Sequence, residues 1–164
     1  MAEILKPAYQ PVRDALKWYE HRDDIAYFFG AKWVILTDAV MDYLIEQENW
    51  YFKRYDEKQL KAIKEWSRGK VGADCSAYIC KSIGCDMISS AQLWARCNNK
   101  TGVKECKAGS LLRYPDHIGL DIGYGYCLHI GKELESIRLE KNDKLGWIGG
   151  GEFDLLDYSM MVNY

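Results

Sequence analysis

The sequence predicts an α+β fold: N-terminal helices over about residues 1–100, packed on a mainly antiparallel β-sheet over about 108–158. Apolar positions recur at helical spacing through the first half. After Gly109 they give way to short, β-leaning runs separated by Gly, Asp and Asn. No internal repeat, low-complexity segment or linker divides the chain, so residues 1–164 read as a single domain.

Each element has its own local signal. Val12, Ala15, Leu16 and Tyr19 share one side of a helix expected over residues 12–25. Thr37 is placed to cap a helix through Val40, Tyr43 and Leu44. Asp56 with Gln59 three residues on forms a capping-box pattern ahead of Leu60, Ile63 and Trp66, and Gly69 marks that helix's end. A further helix is expected from about 74 to 83, closed by Gly84, and Ser89 caps a short one through Leu93 and Trp94. Strands are expected over 111–112, 117–122, 126–130, 134–139 and 153–156, with Gly149-Gly150-Gly151 as a mobile loop.

Composition excludes several classes. With 48% hydrophobic and 28% charged residues the chain has the balance of a globular protein able to bury a core. A net charge of −2 with scattered Lys and Arg gives no footprint for nucleic acid. No apolar run is long enough for stable membrane insertion, and residues 1–9 lack the apolar stretch of a signal peptide. Synthesis in the cytoplasm is therefore the expectation, with the six cysteines reduced. Those cysteines lack the two close pairs of a zinc site, so no metal or cofactor is expected.

The chemistry-bearing residues are few. Of three histidines, His21 sits among Glu20, Arg22, Asp23 and Asp24 and reads as solvated. The other two flank a hairpin, His117 to Ile122, then Gly123-Tyr124-Gly125, then Tyr126 to Ile130. A three-residue connection pairs 122 with 126, and so 119 with 129, which puts His117 and His129 on one face as diagonal neighbours. A two-residue connection shifts the register by one and sends them to opposite faces. The candidate nucleophile is Cys75, where a Gly-containing stretch meets a predicted helix. There the partial positive charge of the helix start favours the thiolate, and Asp74 is suited to cap the helix.

Four segments taken together resemble the NlpC-like bacterial cell-wall peptidases, a papain-like family. They are Asp74-Cys75-Ser76, Ala108-Gly109-Ser110-Leu111-Leu112, His117-Ile-Gly-Leu-Asp-Ile-Gly123 with Leu128-His129 behind it, and Tyr27-Phe28-Phe29-Gly30-Ala31 upstream. The likeness runs from about Tyr27 to Leu156. Ala77 and Asp116 stand where the family often has Gly, Ala108-Gly109-Ser110 replaces Pro-Gly-Asp, and Phe29 replaces Tyr or Trp. The stretch from Ala31 to Asp74 is longer than the minimal pattern, as in phage and prophage lysins.

The resemblance implies a papain-like fold in which the helix carrying Cys75 packs on the sheet. It implies Cys75 as nucleophile, His117 as base and His129 as the group orienting that base, with Tyr27, Asp74 and Ser76 touching substrate. The expected activity is cysteine endopeptidase cleavage of peptidoglycan stem peptides, at the bond between D-glutamate and the following diamino acid. The enzyme would act on the wall after release by lysis or as part of a larger assembly. An amidase cutting between muramic acid and L-alanine uses the same machinery, an acyltransferase on a related fold would carry a membrane-seeking segment, and a non-catalytic wall-binding module would simply bury Cys75. Oligomeric state is left open by the sequence.

Overall fold

A computed structural model of the chain describes residues 4–161. A short strand β1 (Lys6–Pro7) precedes helix α1 (Tyr9–Glu20), then β2 (Ile25–Tyr27) and β3 (Lys32–Ile35). Helices α2 (Asp38–Gln47), α3 (Asn49–Phe52) and α4 (Glu57–Ser67) lead to β4 (Val71–Ala73). Helices α5 (Cys75–Ile83) and α6 (Ser90–Ala95) are followed by β5 (Cys97–Thr101), β6 (Leu111–Tyr114), β7 (His117–Gly123) and β8 (Tyr126–His129). The chain closes with β9 (Arg138–Lys141), β10 (Gly149–Phe153) and β11 (Leu156–Asp157). This is the α+β architecture anticipated, and its main sheet is antiparallel throughout in the order β5-β10-β6-β7-β8-β9.

The caps form as the local chemistry dictates. Thr37 accepts a hydrogen bond from Val40 N–H at the start of α2. Asp56 with Gln59 and Ser89 with Gln92 both close reciprocal capping boxes, at α4 and α6. Gly84 takes the left-handed conformation, φ +81°, that ends α5, and Cys85 N–H reaches back to Cys80 C=O at 3.1 Å.

Four expectations are corrected. The first helix stops at Glu20 rather than running to Ile25. A short 3₁₀ turn over Arg22–Asp24 follows, and Ile25–Tyr27, all buried, pair in parallel with Val71–Ala73. With β3 they make a small three-stranded sheet in the order β2-β4-β3 inside the half read as helical. The strand expected over 134–139 begins only at Arg138. Leu134 has φ +67°, and the preceding Glu133 is drawn inward by the hydroxyls of Tyr51 and Tyr55, each 2.8 Å from its Oε2. Gly149-Gly150-Gly151 is no mobile loop but the first part of β10, buried between β5 and β6. A side chain at Gly151 would stand 2.8 Å from Cys97 Cβ, so the missing Cβ serves close strand approach rather than flexibility.

The fourth correction concerns the hairpin. The β7–β8 turn has two residues, Tyr124 and Gly125, both with positive φ (57° and 77°), as type I′ geometry requires. Alone, that turn would put the two histidines on opposite faces. Asp121 faces Cys127 while Gly123 faces Tyr126, so Ile122 is an extra, bulged residue. The bulge offsets the shorter turn. Leu120 faces Leu128, the register the longer turn would have given, and the same-face placement of His117 and His129 survives for a different reason.

The helices bury one face of the main sheet. Tyr78, Ile79 and Ile83 of α5 join Ile118, Leu120, Leu128 and Ile130 in the largest core cluster, and Tyr78 Oη donates to Ala15 C=O at 2.7 Å. A second cluster, around Phe28, Met41, Phe52 and Ile63, fixes α2–α4 beside the small sheet. The opposite face of the main sheet carries a small cluster of Cys106, Leu112, Cys127 and Trp147. Among the described residues no helix is long and apolar enough to cross a membrane.

Candidate active site

Cys75 stands at the first position of α5 because β4 delivers the chain into Asp74, whose extended backbone and carboxylate make it the N-cap. Asp74 Oδ1 accepts from Ala77 N–H at 2.9 Å and from Ser76 Oγ–H at 3.0 Å. Its Oδ2 is held by Lys32 Nζ at 2.6 Å, and the same ammonium reaches Ser76 Oγ at 3.1 Å. Lys32 arrives by strand pairing, opposite Ala73 on the neighbouring strand β3.

His117 opens β7. The turn before it contains Asp116 with φ +62°, a conformation free to Gly and tolerated by Asp better than by most residues. His117 Nε2 lies 3.0 Å from His129 Nδ1. On its far side, His129 Nε2 lies 3.1 Å from Glu140 Oε2. Both histidines are nearly inaccessible, at 7% and 6% exposure, so these hydrogen bonds face little competition from water. Trp147 stacks on the His117 ring at 5.5 Å with 7° between planes and meets His129 edge-on at 5.9 Å. Room for Trp147 comes from Gly119, where a Cβ would lie 2.7 Å from the indole. Gly131 likewise leaves space for the His117 ring: a Cβ there would sit 2.7 Å from His117 Cε1.

These elements converge on one cleft of about 650 Å³, lined among others by Tyr27, Lys32, Asp74, Cys75, Ser76 and His117. Tyr51 and Arg54, from the long stretch after Ala31, form part of its wall. The Arg54 guanidinium lies over the Tyr51 ring at 3.9 Å. Among the described residues, no group of three or more His, Cys, Asp or Glu is gathered to hold a metal ion.

The electrostatics differ from the sequence expectation. Burial first, and the Asp74 carboxylate second, push the Cys75 thiol up to about 11, although backbone N–H groups of Ile118 and Ser76 and the Lys32 ammonium favour the thiolate. A helix terminus is worth about 0.3–1 kcal/mol at an exposed site. The rise from an ordinary thiol corresponds to roughly 3 kcal/mol, so burial wins. Burial also lowers His117 to about 3, with His129 adding to the effect, and lowers His129 against the opposing pull of Glu140. At rest the site holds a neutral thiol and neutral imidazoles.

That state predicts a particular alkylation profile. Only the thiolate reacts, so Cys75 modification by iodoacetamide should accelerate about tenfold per pH unit from pH 6 to near 10, with no plateau at neutral pH. Rates followed on the peptide that carries Cys75, by mass spectrometry of digests, check this; a fast, flat rate at Cys75 from pH 5 to 8 would reveal a preformed ion pair instead.

Five of the six residues singled out in the sequence line the cleft, and the sixth, His129, stands behind His117. Tyr27 is 6% exposed, and burial followed by Glu133 keeps its hydroxyl protonated far into the alkaline range. Asp74 has both carboxylate oxygens engaged within the fold. Sequence reasoning missed Lys32, Glu140 and Trp147. A period-two reading of β9 can show which residues share a face with Glu140. It gives no register, because the irregular stretch between β8 and β9 separates the two strands.

The fold and site together define a papain-like α+β architecture with a cysteine at the start of the buried helix and a histidine on the adjoining sheet. Among solved structures, the chain is similar to the peptidoglycan hydrolase RipB from Mycobacterium tuberculosis, with a TM-score of 0.53, 16% identity, and coverage of 92% of this chain and 67% of that one. At that identity the likeness concerns the fold. No protein-family model and no curated protein sequence matches the chain.

Proposed function

We propose that the protein is a peptidoglycan hydrolase in which Cys75 attacks an amide of the stem peptide, at the bond between D-glutamate and the next diamino acid. The observation that carries this reading is the convergence of Cys75, at a helix start, and His117, backed by His129, on a single cleft. The fold shared with RipB directs the choice of substrate. Because His117 Nε2 is engaged by His129, its Nδ1 is the nitrogen left to act as base. Attack of sulfur on the carbonyl carbon is accompanied by transfer of the thiol proton to His117. The thiolate and imidazolium arise together, each offsetting the other's burial. The Cys75 N–H at the start of α5 is the candidate donor to the oxyanion. His117 then protonates the departing amine, and water hydrolyses the thioester with His117 again as base. Tyr27 supplies a wall of the peptide subsite, and Asp74 with Ser76 holds the Lys32 ammonium at its edge.

Mass spectrometry of soluble fragments from purified peptidoglycan tests the reading. New stem ends at D-glutamate, matched by free amino groups on the diamino acid, are expected. Free lactyl groups of muramic acid with intact stems would identify an amidase. Association with the wall and no cleavage of any wall type would identify a binding module.

A further inference from the structure

Two neutral imidazoles joined by one N–H···N bond can share their protons in two ways. When His129 carries its proton on Nδ1, it donates to His117 Nε2. The His117 proton then sits on Nδ1, and the cleft meets a nitrogen that cannot accept one. When His129 carries its proton on Nε2, its Nδ1 accepts from His117 Nε2–H and leaves the His117 Nδ1 lone pair free. The hydrogen bond between the rings, 3.0 Å long, is compatible with both.

A third group removes the ambiguity. Glu140 follows from β8–β9 pairing: it lies opposite Cys127 and is thus the diagonal same-face neighbour of His129. Its Oε2 is 3.1 Å from His129 Nε2. Its Oε1 is 2.6 Å from Arg138 Nη2, while Arg138 Nη1 reaches both carboxylate oxygens of Glu135 at 3.1 Å. The guanidinium occupies the other oxygen of Glu140, and a carboxylate only accepts hydrogen bonds. We propose that Glu140 is a positioning residue that fixes the His129 proton on Nε2, and through it the His117 proton on Nε2, so that His117 faces Cys75 as a base. His129 is then the middle link of a relay whose outer end is a carboxylate, held in turn by Arg138. The proposal rests on the Cys75–His117 reading of the same site. An outer carboxylate of this kind orients an imidazole in the way a carboxylate behind a metal-binding histidine fixes that ring.

The test uses the chain labelled with ¹⁵N in its histidines, together with Glu140→Leu and Glu140→Gln. Long-range ¹H–¹⁵N correlation spectra report which nitrogen of each ring carries its proton. In the wild type, His129 and His117 are both expected as the Nε2–H form. Glu140→Leu removes the acceptor and should mix the two forms. It should lower kcat on soluble muropeptides about 10- to 100-fold with KM little changed. Glu140→Gln, whose amide oxygen still accepts, should restore the Nε2–H form and part of kcat. A wild-type His129 protonated on Nδ1, or a Glu140→Leu variant with unaltered ring protonation or unaltered kcat, would overturn the proposal. A surface ion pair with Arg138 alone would leave the ring signals untouched. If the leucine variant fails to fold, the wild-type and glutamine spectra decide. If the wild type cleaves no muropeptide, the hydrolase reading falls, while the ring protonation still decides the role of Glu140.

Discussion

Cys75→Ala is expected to abolish release of wall fragments, with a loss on the order of 10⁵–10⁶-fold, the scale at which removing a covalent nucleophile collapses its whole catalytic unit. The fold should persist. The Asp74 cap bonds to Ala77 N–H and Ser76 Oγ–H, neither of which involves the sulfur, and α5 is anchored further along by Tyr78 and Ile83. The comparison should therefore be made between proteins of similar Tm, with wall association measured alongside cleavage. Retained association and lost cleavage would place the chemistry on sulfur. Cleavage that survives in the alanine variant would remove Cys75 from the mechanism, and the His117 relay would need another partner.

The second large effect comes from a position with no reactive group. Gly131→Ala is expected to lower kcat about 100-fold, because a Cβ at this site would sit 2.7 Å from His117 Cε1 and 3.4 Å from Nδ1. Such a separation is shorter than real Cβ contacts allow, so something must move. The ring has few ways to yield. Trp147 stacks on it, and His129 holds its Nε2. A displacement near 1 Å is enough to cost about two orders of magnitude when geometry controls the step. Gly146→Ala is the matched control, since nothing lies within 4 Å of a Cβ there. Equal activity in the two variants would mean that the imidazole has more freedom than its packing shows.

What the residue order makes legible follows the reach of each interaction. Caps at Thr37, Asp56 and Ser89 are settled within about four residues, and all three form. The motif residues Cys75, His117 and His129 were visible because their flanking residues are distinctive. Strands β2 and β4 were not: each has three residues, and their pairing joins Ile25 to Val71 across a helical stretch. Gly149-Gly150-Gly151 misled because glycine marks both slack loops and tight strand contacts, and only the neighbours distinguish them. The same limit applies to electrostatics. The field of a helix start is a local property, whereas the burial that holds the Cys75 proton depends on every segment packed over it.

The Ile122 bulge also sets a rule for how this hairpin can change. Facing of the two histidines depends only on whether the number of residues between them, less the turn and the bulge, is odd or even. A single-residue insertion or deletion in the paired strand residues inverts that parity and turns His129 toward the helices, whereas one taken up by the turn or by a bulge leaves it unchanged. Length variation among descendants of such a hairpin should therefore gather at the tip and at bulges, and come in steps of two within the paired strands. The tip can drift; the strands behind it cannot.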